Sequence, residues 1–223
     1  MKVFIVIPAY NEEKHIENVL TACQREGFSD IIVVNDGSND KTGEIAKHHG
    51  AIVVEHMINR GVGASTQTGI EAAKLLGADI VITLDADGQH NPKDIHTILQ
   101  PLEEEGIDIT IGSRFLQNNR IPFLRRLFNV IANILTMLLT GIYLTDSQSG
   151  MKGLGTKALE HIHISSNGYE FSSEMIREAV YHHLRIKEVP ISVLYTRYSL
   201  SKGQNLATGM ITMFKLIIRS LMR

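Results

Sequence analysis

With 223 residues, a formal net charge of −2, 43% hydrophobic and 21% charged residues, the chain is one large globular domain, or a domain with an appendage, able to bury a full core. Its single cysteine, Cys23, excludes an intramolecular disulfide framework and a cysteine-based metal site, and favours a reducing compartment. Acidic charge sits mainly in the first half and basic charge on two later segments, which points to an anionic partner, not a nucleic acid, for part of the surface.

The opening apolar run after Met1-Lys2 is too brief for a signal peptide and has no cleavage-site pattern. Val3 to Ile7 is an aliphatic run stopped by Pro8 and reads as a buried strand. Ala9-Tyr10-Asn11-Glu12-Glu13 follows, and then a helix to about Gln24. Ile31 to Val34 is a second strand ending in Asn35-Asp36-Gly37-Ser38, followed by a helix over Lys41 to His48 and a third strand at Ile52 to Val54. Asn59-Arg60-Gly61-Val62-Gly63 leads into a helix reaching Leu76. No Gly-Lys-Ser/Thr follows that glycine pair, and no Rossmann glycine spacing opens the first helix. A P-loop kinase and an NAD enzyme are therefore disfavoured.

Ile80 to Leu84 is uncharged and mostly β-branched or large aliphatic, which suits a strand buried on both faces. Asp85 and Asp87 stand at its exit, and Asn91-Pro92 predicts a helix start, with Asn91 as N-cap. Two carboxylates at the end of a buried strand are costly unless a positive charge sits between them. A hard divalent cation, Mg²⁺ or Mn²⁺, answers that need and commonly brings a substrate phosphate as co-ligand. The bland alternative is a solvated Asp-x-Asp-Gly turn. The helix after Pro92 ends near Gly106, and Ile107 to Ile111 predicts a fifth strand before Gly112-Ser113-Arg114.

Strands alternating with helices predict an α/β fold with a doubly wound, mostly parallel sheet. Ligands of such sheets bind outside the carboxyl ends of the strands. Pro8 to Glu12, Asp36-Gly37, Asp85 to Asp87 and Ser113-Arg114 all lie at such ends, which implies a nucleotide-type site. No repeat, low-complexity tract or linker interrupts the chain.

Leu127 to Leu144 holds 18 residues without a charge, at the threshold for spanning a membrane. Asn129, Asn133, Thr136 and Thr140 nevertheless fall on one helical stripe, opposite Phe128, Ile131, Leu135, Leu138, Leu139 and Ile142. With Arg125 and Arg126 at its start, such a helix suits a membrane interface. The competing expectation is packing on the domain through its apolar face. The C-terminal segment repeats the pattern, with Thr208, Thr212, Lys215, Arg219 and Arg223 on one stripe. Residues 1–205 are thus expected to form the main domain and 206–223 a basic amphipathic helix. Peripheral attachment follows, assisted by a membrane partner or by self-association through these helices. His48-His49 and His182-His183 point apart on helices and make poor chelates, whereas His90 stands near the carboxylates. Glu170 and Glu174 share a helix face and read as surface or pocket-rim residues.

Ile7-Pro8-Ala9-Tyr10-Asn11-Glu12, Val34-Asn35-Asp36-Gly37-Ser38, Asn59-Arg60-Gly61, Asp85-Ala86-Asp87-Gly88-Gln89 and Gly112-Ser113-Arg114 together resemble the family 2 glycosyltransferases of the GT-A fold. Thr145-Asp146-Ser147-Gln148-Ser149-Gly150, with weaker support from Tyr169-Glu170-Phe171 and from Arg197 to Lys202, looks most like dolichol-phosphate mannose synthase and related polyprenyl-phosphate glycosyltransferases. The resemblance implies that Pro8, Ala9, Tyr10 and Glu12 line a nucleotide pocket in which Asp36 holds the base. It implies that Asp85 and Asp87, flanking Ala86, bind the metal and through it the diphosphate, with Gln89 near the reacting sugar. Arg114, with Arg125 or Arg126 and Ser149, would receive an acceptor phosphate, while Arg197 and Lys202 would close over the diphosphate.

The implied reaction is inverting transfer of one hexose from a nucleoside-diphosphate sugar, GDP- or UDP-linked, to a dolichyl or polyprenyl phosphate at the cytoplasmic face of a membrane. A hydroxyl acceptor would need a general base, for which Asp146 is the candidate. A nucleotidyltransferase would need a glycine-rich, basic loop that Pro8 to Lys14 does not supply. A non-catalytic membrane-associated subunit, binding a nucleotide sugar, would have no need of Asp85, Asp87, Arg114 and Arg197 together.

Overall fold

The computed structural model describes residues 1–119 and 121–194. Arg120, Arg197, Lys202 and the segment 206–223 lie outside the described residues. The described chain runs β1 (Val3–Ala9), α1 (Ile16–Arg25), β2 (Ile31–Asn35), α2 (Thr42–His48), β3 (Ile52–Glu55), α3 (Val62–Leu75), β4 (Ile80–Thr83), α4 (Asp94–Glu104), β5 (Ile109–Ser113), α5 (Phe123–Thr140), β6 (Lys152–Leu154), α6 (Thr156–His161), α7 (Phe171–Tyr181) and β7 (Ile186–Pro190).

Seven strands form one sheet in the order β3-β2-β1-β4-β6-β5-β7. All neighbouring pairs are parallel except those of β6, which runs antiparallel to both β4 and β5. The mostly parallel α/β sheet is the expected one. The wedged β6 is not, and it separates the fourth and fifth strands that an alternating pattern would place side by side. β5 also begins two residues later than the aliphatic run suggests.

Successive side chains of a strand point to opposite faces, so a strand covered on both sides must be apolar throughout. In β1, Phe4 and Val6 join a core with Ile70 and Ala73 of α3 and Phe171, Met175 and Ile176 of α7. Ile5, Ile7 and Ala9 face the other way, onto Ile16, Leu20 and Cys23 of α1 and Ile95 and Ile98 of α4. These two layers fix the strand ends that carry the polar residues.

Two helix expectations are corrected. α4 starts at Asp94, beyond Asn91-Pro92. The Asn91 Oδ1 accepts from the Lys93 N–H at 3.2 Å, and its carbonyl from the Asp94 N–H at 3.0 Å, so Asn91 closes a turn ahead of the helix. α5 packs the opposite way from the apolar-face expectation: Asn129, Asn133 and Thr136 are buried, while Phe123 is 77% and Leu138 72% exposed. The inward stripe is held by hydrogen bonds. Asn133 Nδ2 donates to the Thr145 carbonyl at 2.7 Å, its Oδ1 accepts from the Ser147 N–H at 2.9 Å, and Thr136 Oγ1 meets Ser173 Oγ at 2.8 Å. Gly141, at φ +74°, ends the helix in the left-handed conformation.

Candidate active site

A cavity of about 710 Å³ opens at the carboxyl ends of β1, β2 and β4. Its first wall is the end of β1, with Pro8 and Ala9, and the loop that follows, with Tyr10 and Glu12. Asn11, at φ +53°, turns that loop against the exit of β2. Its N–H donates to Ser38 Oγ at 2.9 Å, its Oδ1 accepts from the Asn39 N–H at 2.9 Å, and the Glu12 N–H donates to Thr42 Oγ1 at 2.8 Å.

Asp36, at the end of β2, is buried and lines the same cavity. Its Oδ1 accepts from His56 Nδ1 at 2.7 Å and from the Arg60 N–H at 2.9 Å, and its Oδ2 from the Gly61 N–H at 2.8 Å. Gly61 has φ +98°, and a Cβ there would lie 2.3 Å from the Asn167 carbonyl oxygen. Only glycine allows that backbone to reach the carboxylate.

Asp85 and Asp87 leave β4 into the cavity floor. Asp85 Oδ2 lies 3.1 Å from His90 Nε2, and Asp87 Oδ1 accepts from the Gln89 N–H at 3.0 Å, while Gln89 Nε2 donates to Asp87 Oδ2. Withdrawal from water would raise Asp85, but the bond and charge of His90, with Lys152 and Arg114 further off, hold it below the usual carboxylate range. Asp87 goes the other way, pushed up by withdrawal from water and then by the charge of Asp85. Such a pair repels itself and favours a cation between its members. Among the described residues no group of three or more His, Cys, Asp or Glu could hold a metal. Two carboxylates plus oxygens from a phosphorylated substrate are the donor set that suits Mg²⁺ or Mn²⁺, so the residues fit a substrate-shared cation.

Arg114 and Arg125 line the opposite wall. Arg114 is oriented by Asp146: its Nε donates to Oδ2 and its Nη2 to Oδ1, both at 2.7 Å, and its backbone N–H reaches Oδ2 at 2.9 Å. Asn129 Nδ2 adds a bond to Oδ1 at 2.7 Å. Burial would raise Asp146, but the Arg114 guanidinium and these hydrogen bonds keep it below the usual range. A fully buried carboxylate with both oxygens occupied is a positioning group, and it is unsuited to take a proton from a hydroxyl. Arg125 Nη1 donates to Gln89 Oε1 at 3.3 Å and so joins the two walls. Arg126 is exposed on α5 and Ser149 is buried, and neither lines the cavity.

Asn59, Gln148, Tyr169 and Phe171 of the motifs quoted above also line the cavity, as do Ser65, Gly168 and Ser172, which no sequence motif marks. The last three sit on helices and a loop whose spacing carries no signal. Behind the wall lies Lys152, which is buried and donates to the Ser149 carbonyl and, at 3.3 Å, to Ser172 Oγ. Burial lowers its ammonium to about 8, against the pull of Asp146 and Asp85. Glu170 and Glu174 are buried, not surface or rim residues, and Glu174 accepts from the Ser166 N–H at 2.8 Å. Of the four buried side-chain polar atoms without a hydrogen bond among the described residues, Ser65 Oγ, His90 Nδ1 and Asn129 Oδ1 belong to lining residues, as expected of a wall that meets a polar ligand, and Thr110 Oγ1 does not.

The model of the glycosyl transferase family 2 domain matches residues 4–163, which carry the loop after β1, Asp36, the Asp85/Asp87 pair and Arg114. The chain belongs to glycosyltransferase family 2. It is 37% identical, over 99% of its length and 95% of the relative's, to a UDP-N-acetylglucosamine–dolichyl-phosphate N-acetylglucosaminyltransferase of Methanococcus voltae. It is 28% identical to a polyprenol monophosphomannose synthase of Mycolicibacterium smegmatis, covering 94% of this chain and 84% of that one. Glucosyl-3-phosphoglycerate synthase of Mycobacterium tuberculosis shares the fold at 21% identity and a TM-score of 0.76, over 99% of this chain and 78% of that structure. This family 2 member is therefore a glycosyltransferase with a GT-A architecture.

Proposed function

We propose that this glycosyltransferase moves one hexose from a nucleoside-diphosphate sugar to a dolichyl or polyprenyl phosphate at a membrane surface. The observation that carries the reading is α5, which places Arg125 in the cavity wall while its outer face exposes Phe123, Leu124, Leu127, Val130, Ile134 and Leu138. One helix thus joins a phosphate-sized positive charge to an apolar surface. An acceptor with a charged head and a hydrocarbon tail needs both. The names of the two relatives support the acceptor class, and donor and metal are part of the proposal.

The chemistry follows from the side chains. In-line displacement at the sugar carbon leaves negative charge on the departing diphosphate. Asp85 and Asp87 would hold a divalent cation that offsets that charge. Pro8, Ala9, Tyr10 and Glu12 would flank the nucleotide and Asp36 its base, with Gln89, tied to Asp87 and Arg125, beside the sugar. Arg114, fixed by Asp146, and Arg125 would draw in the acceptor phosphate and hold its oxygen toward the sugar. A phosphate monoester has a second pKa of about 6, so it arrives ionised and needs no base. That agrees with the occupied Asp146. The resemblance adds Arg197 and Lys202, outside the described residues, as contacts to the diphosphate.

Substituting Arg125→Ala tests this assignment. Fixed positive charge lost from the acceptor site should raise KM for a short-chain polyprenyl phosphate at least tenfold while leaving KM for the sugar nucleotide within about twofold. An unchanged acceptor KM, with the donor KM raised, would move Arg125 to the donor side and remove the support α5 gives.

A further inference from the structure

Asp36 spends most of its hydrogen-bonding capacity on its own chain. A carboxylate accepts about four hydrogen bonds, two at each oxygen. Oδ1 is filled by His56 Nδ1 at 2.7 Å and the Arg60 N–H at 2.9 Å, whereas among the described residues Oδ2 receives only the Gly61 N–H, at 2.8 Å. The His56 contact is not incidental. Its side chain is 6% exposed, its Nε2 meets Thr68 Oγ1 at 3.0 Å, and its backbone N–H donates to the Asn35 carbonyl at 2.9 Å. A carboxylate only accepts, so Nδ1 carries the hydrogen and the ring cannot turn away without losing both partners.

We infer that His56 is a specificity-determining residue which, by occupying Asp36 Oδ1, leaves one acceptor position for the base and so selects a uracil over a guanine nucleotide. This rests on the reading of the cavity as a sugar-nucleotide site. Uracil presents a single donor, N3–H, between two carbonyls, and one open position on Oδ2 satisfies it. Guanine presents N1–H and the 2-amino group side by side, a pair that suits both oxygens of a carboxylate at once. Against Asp36 one of those donors would be buried without a partner. Cytosine and adenine would set an unprotonated ring nitrogen against the carboxylate, which repels it. His56 makes no contact with the base itself and acts through Asp36.

The test is equilibrium binding of UDP and of GDP to the full chain with Mg²⁺, for the wild type, His56→Ala and His56→Asn. The wild type should bind UDP about tenfold or more tighter than GDP, the factor set by one buried donor left unpaired. His56→Ala opens Oδ1 and should narrow that ratio at least threefold. His56→Asn, whose amide can donate from the place of Nδ1, should restore it. His56→Leu, closer in volume and without a donor, substitutes for the alanine variant if that one does not fold. Equal or tighter binding of GDP by the wild type would overturn the inference, as would an unchanged ratio in folded His56→Ala or His56→Leu. A GDP preference would leave lipid-phosphate-dependent transfer standing. Failure to bind either nucleotide would remove both the base assignment and the donor-site reading.

Discussion

Asp146 shows how a residue's role depends on what its side chain touches. In the sequence it is a candidate base. In the structure it is the buried counter-ion that aims Arg114. Asp146→Asn should cost about 3–5 kcal/mol in chemical denaturation, because it leaves the guanidinium without its charge partner. The pH dependence has a definite sign. The Asp146 pKa is depressed in the fold, so its contribution is fully present above the ordinary value of 3.8 and is lost as pH falls through the lower folded value. The acid limb of the stability curve should therefore flatten in Asp146→Asn. Lys152 acts at the other end of the scale. Its folded pKa of about 8 lies below the ordinary 10.5, so the unfolded chain holds the extra proton between those values. Stability should rise across that window by roughly 3 kcal/mol at most. Urea denaturation at pH 7.5 and 10.5 should show the rise in the wild type and not in Lys152→Met. An equal rise in both would assign it elsewhere.

At the scale of elements, what the sequence disclosed depended on how local the signal was. The strands β1, β2 and β4 were legible because burial on both faces demands unbroken aliphatic runs, and the polar residues at their exits then had to converge. β6 was not legible. It has three residues, one of them glycine and one a buried lysine, and it is a strand because β4 and β5 offer it open edges on both sides. Its position matters for the site, since Gly150, just before it, packs on Asp85 so closely that a Cβ would lie 2.1 Å from Oδ2. Gly150→Ala should push that carboxylate aside and lower kcat by at least tenfold. A normal kcat would show that Asp85 tolerates the shift.

The helix α5 was legible as amphipathic but not in orientation, because periodicity separates two faces without saying which one meets the protein. Its polar face turned inward because Asp146, Thr145 and Ser147 present unfulfilled donors and acceptors there. Asn133→Ala should consequently destabilise the fold by about 1–3 kcal/mol, the cost of leaving buried polar groups unpaired. Leu127→Glu and Leu138→Glu on the outer face should leave thermal stability within about 0.5 kcal/mol. On the proposed reading the same two changes weaken sedimentation with anionic vesicles. Unaltered sedimentation would detach α5 from the lipid surface.

For the whole molecule, the sheet gathers Pro8 to Glu12, Asp36 and the Asp85/Asp87 pair at the ends of β1, β2 and β4, which the proposed reading makes the donor side. On the same reading Arg114, Arg125 and α5 supply the acceptor side and the apolar outer face together. The acidic floor and basic wall belong to one cavity, bridged by the Gln89–Arg125 contact. A phosphate acceptor that keeps its tail in a bilayer would use all of it. The most direct test is the mass of the product. Incubation with a UDP-sugar, a divalent cation and a short polyprenyl phosphate should give the lipid phosphate increased by one hexosyl or N-acetylhexosaminyl residue, with no product in Asp87→Ala. Transfer of the sugar to a hydroxyl acceptor, with the lipid phosphate unchanged under every donor and metal, would contradict the account.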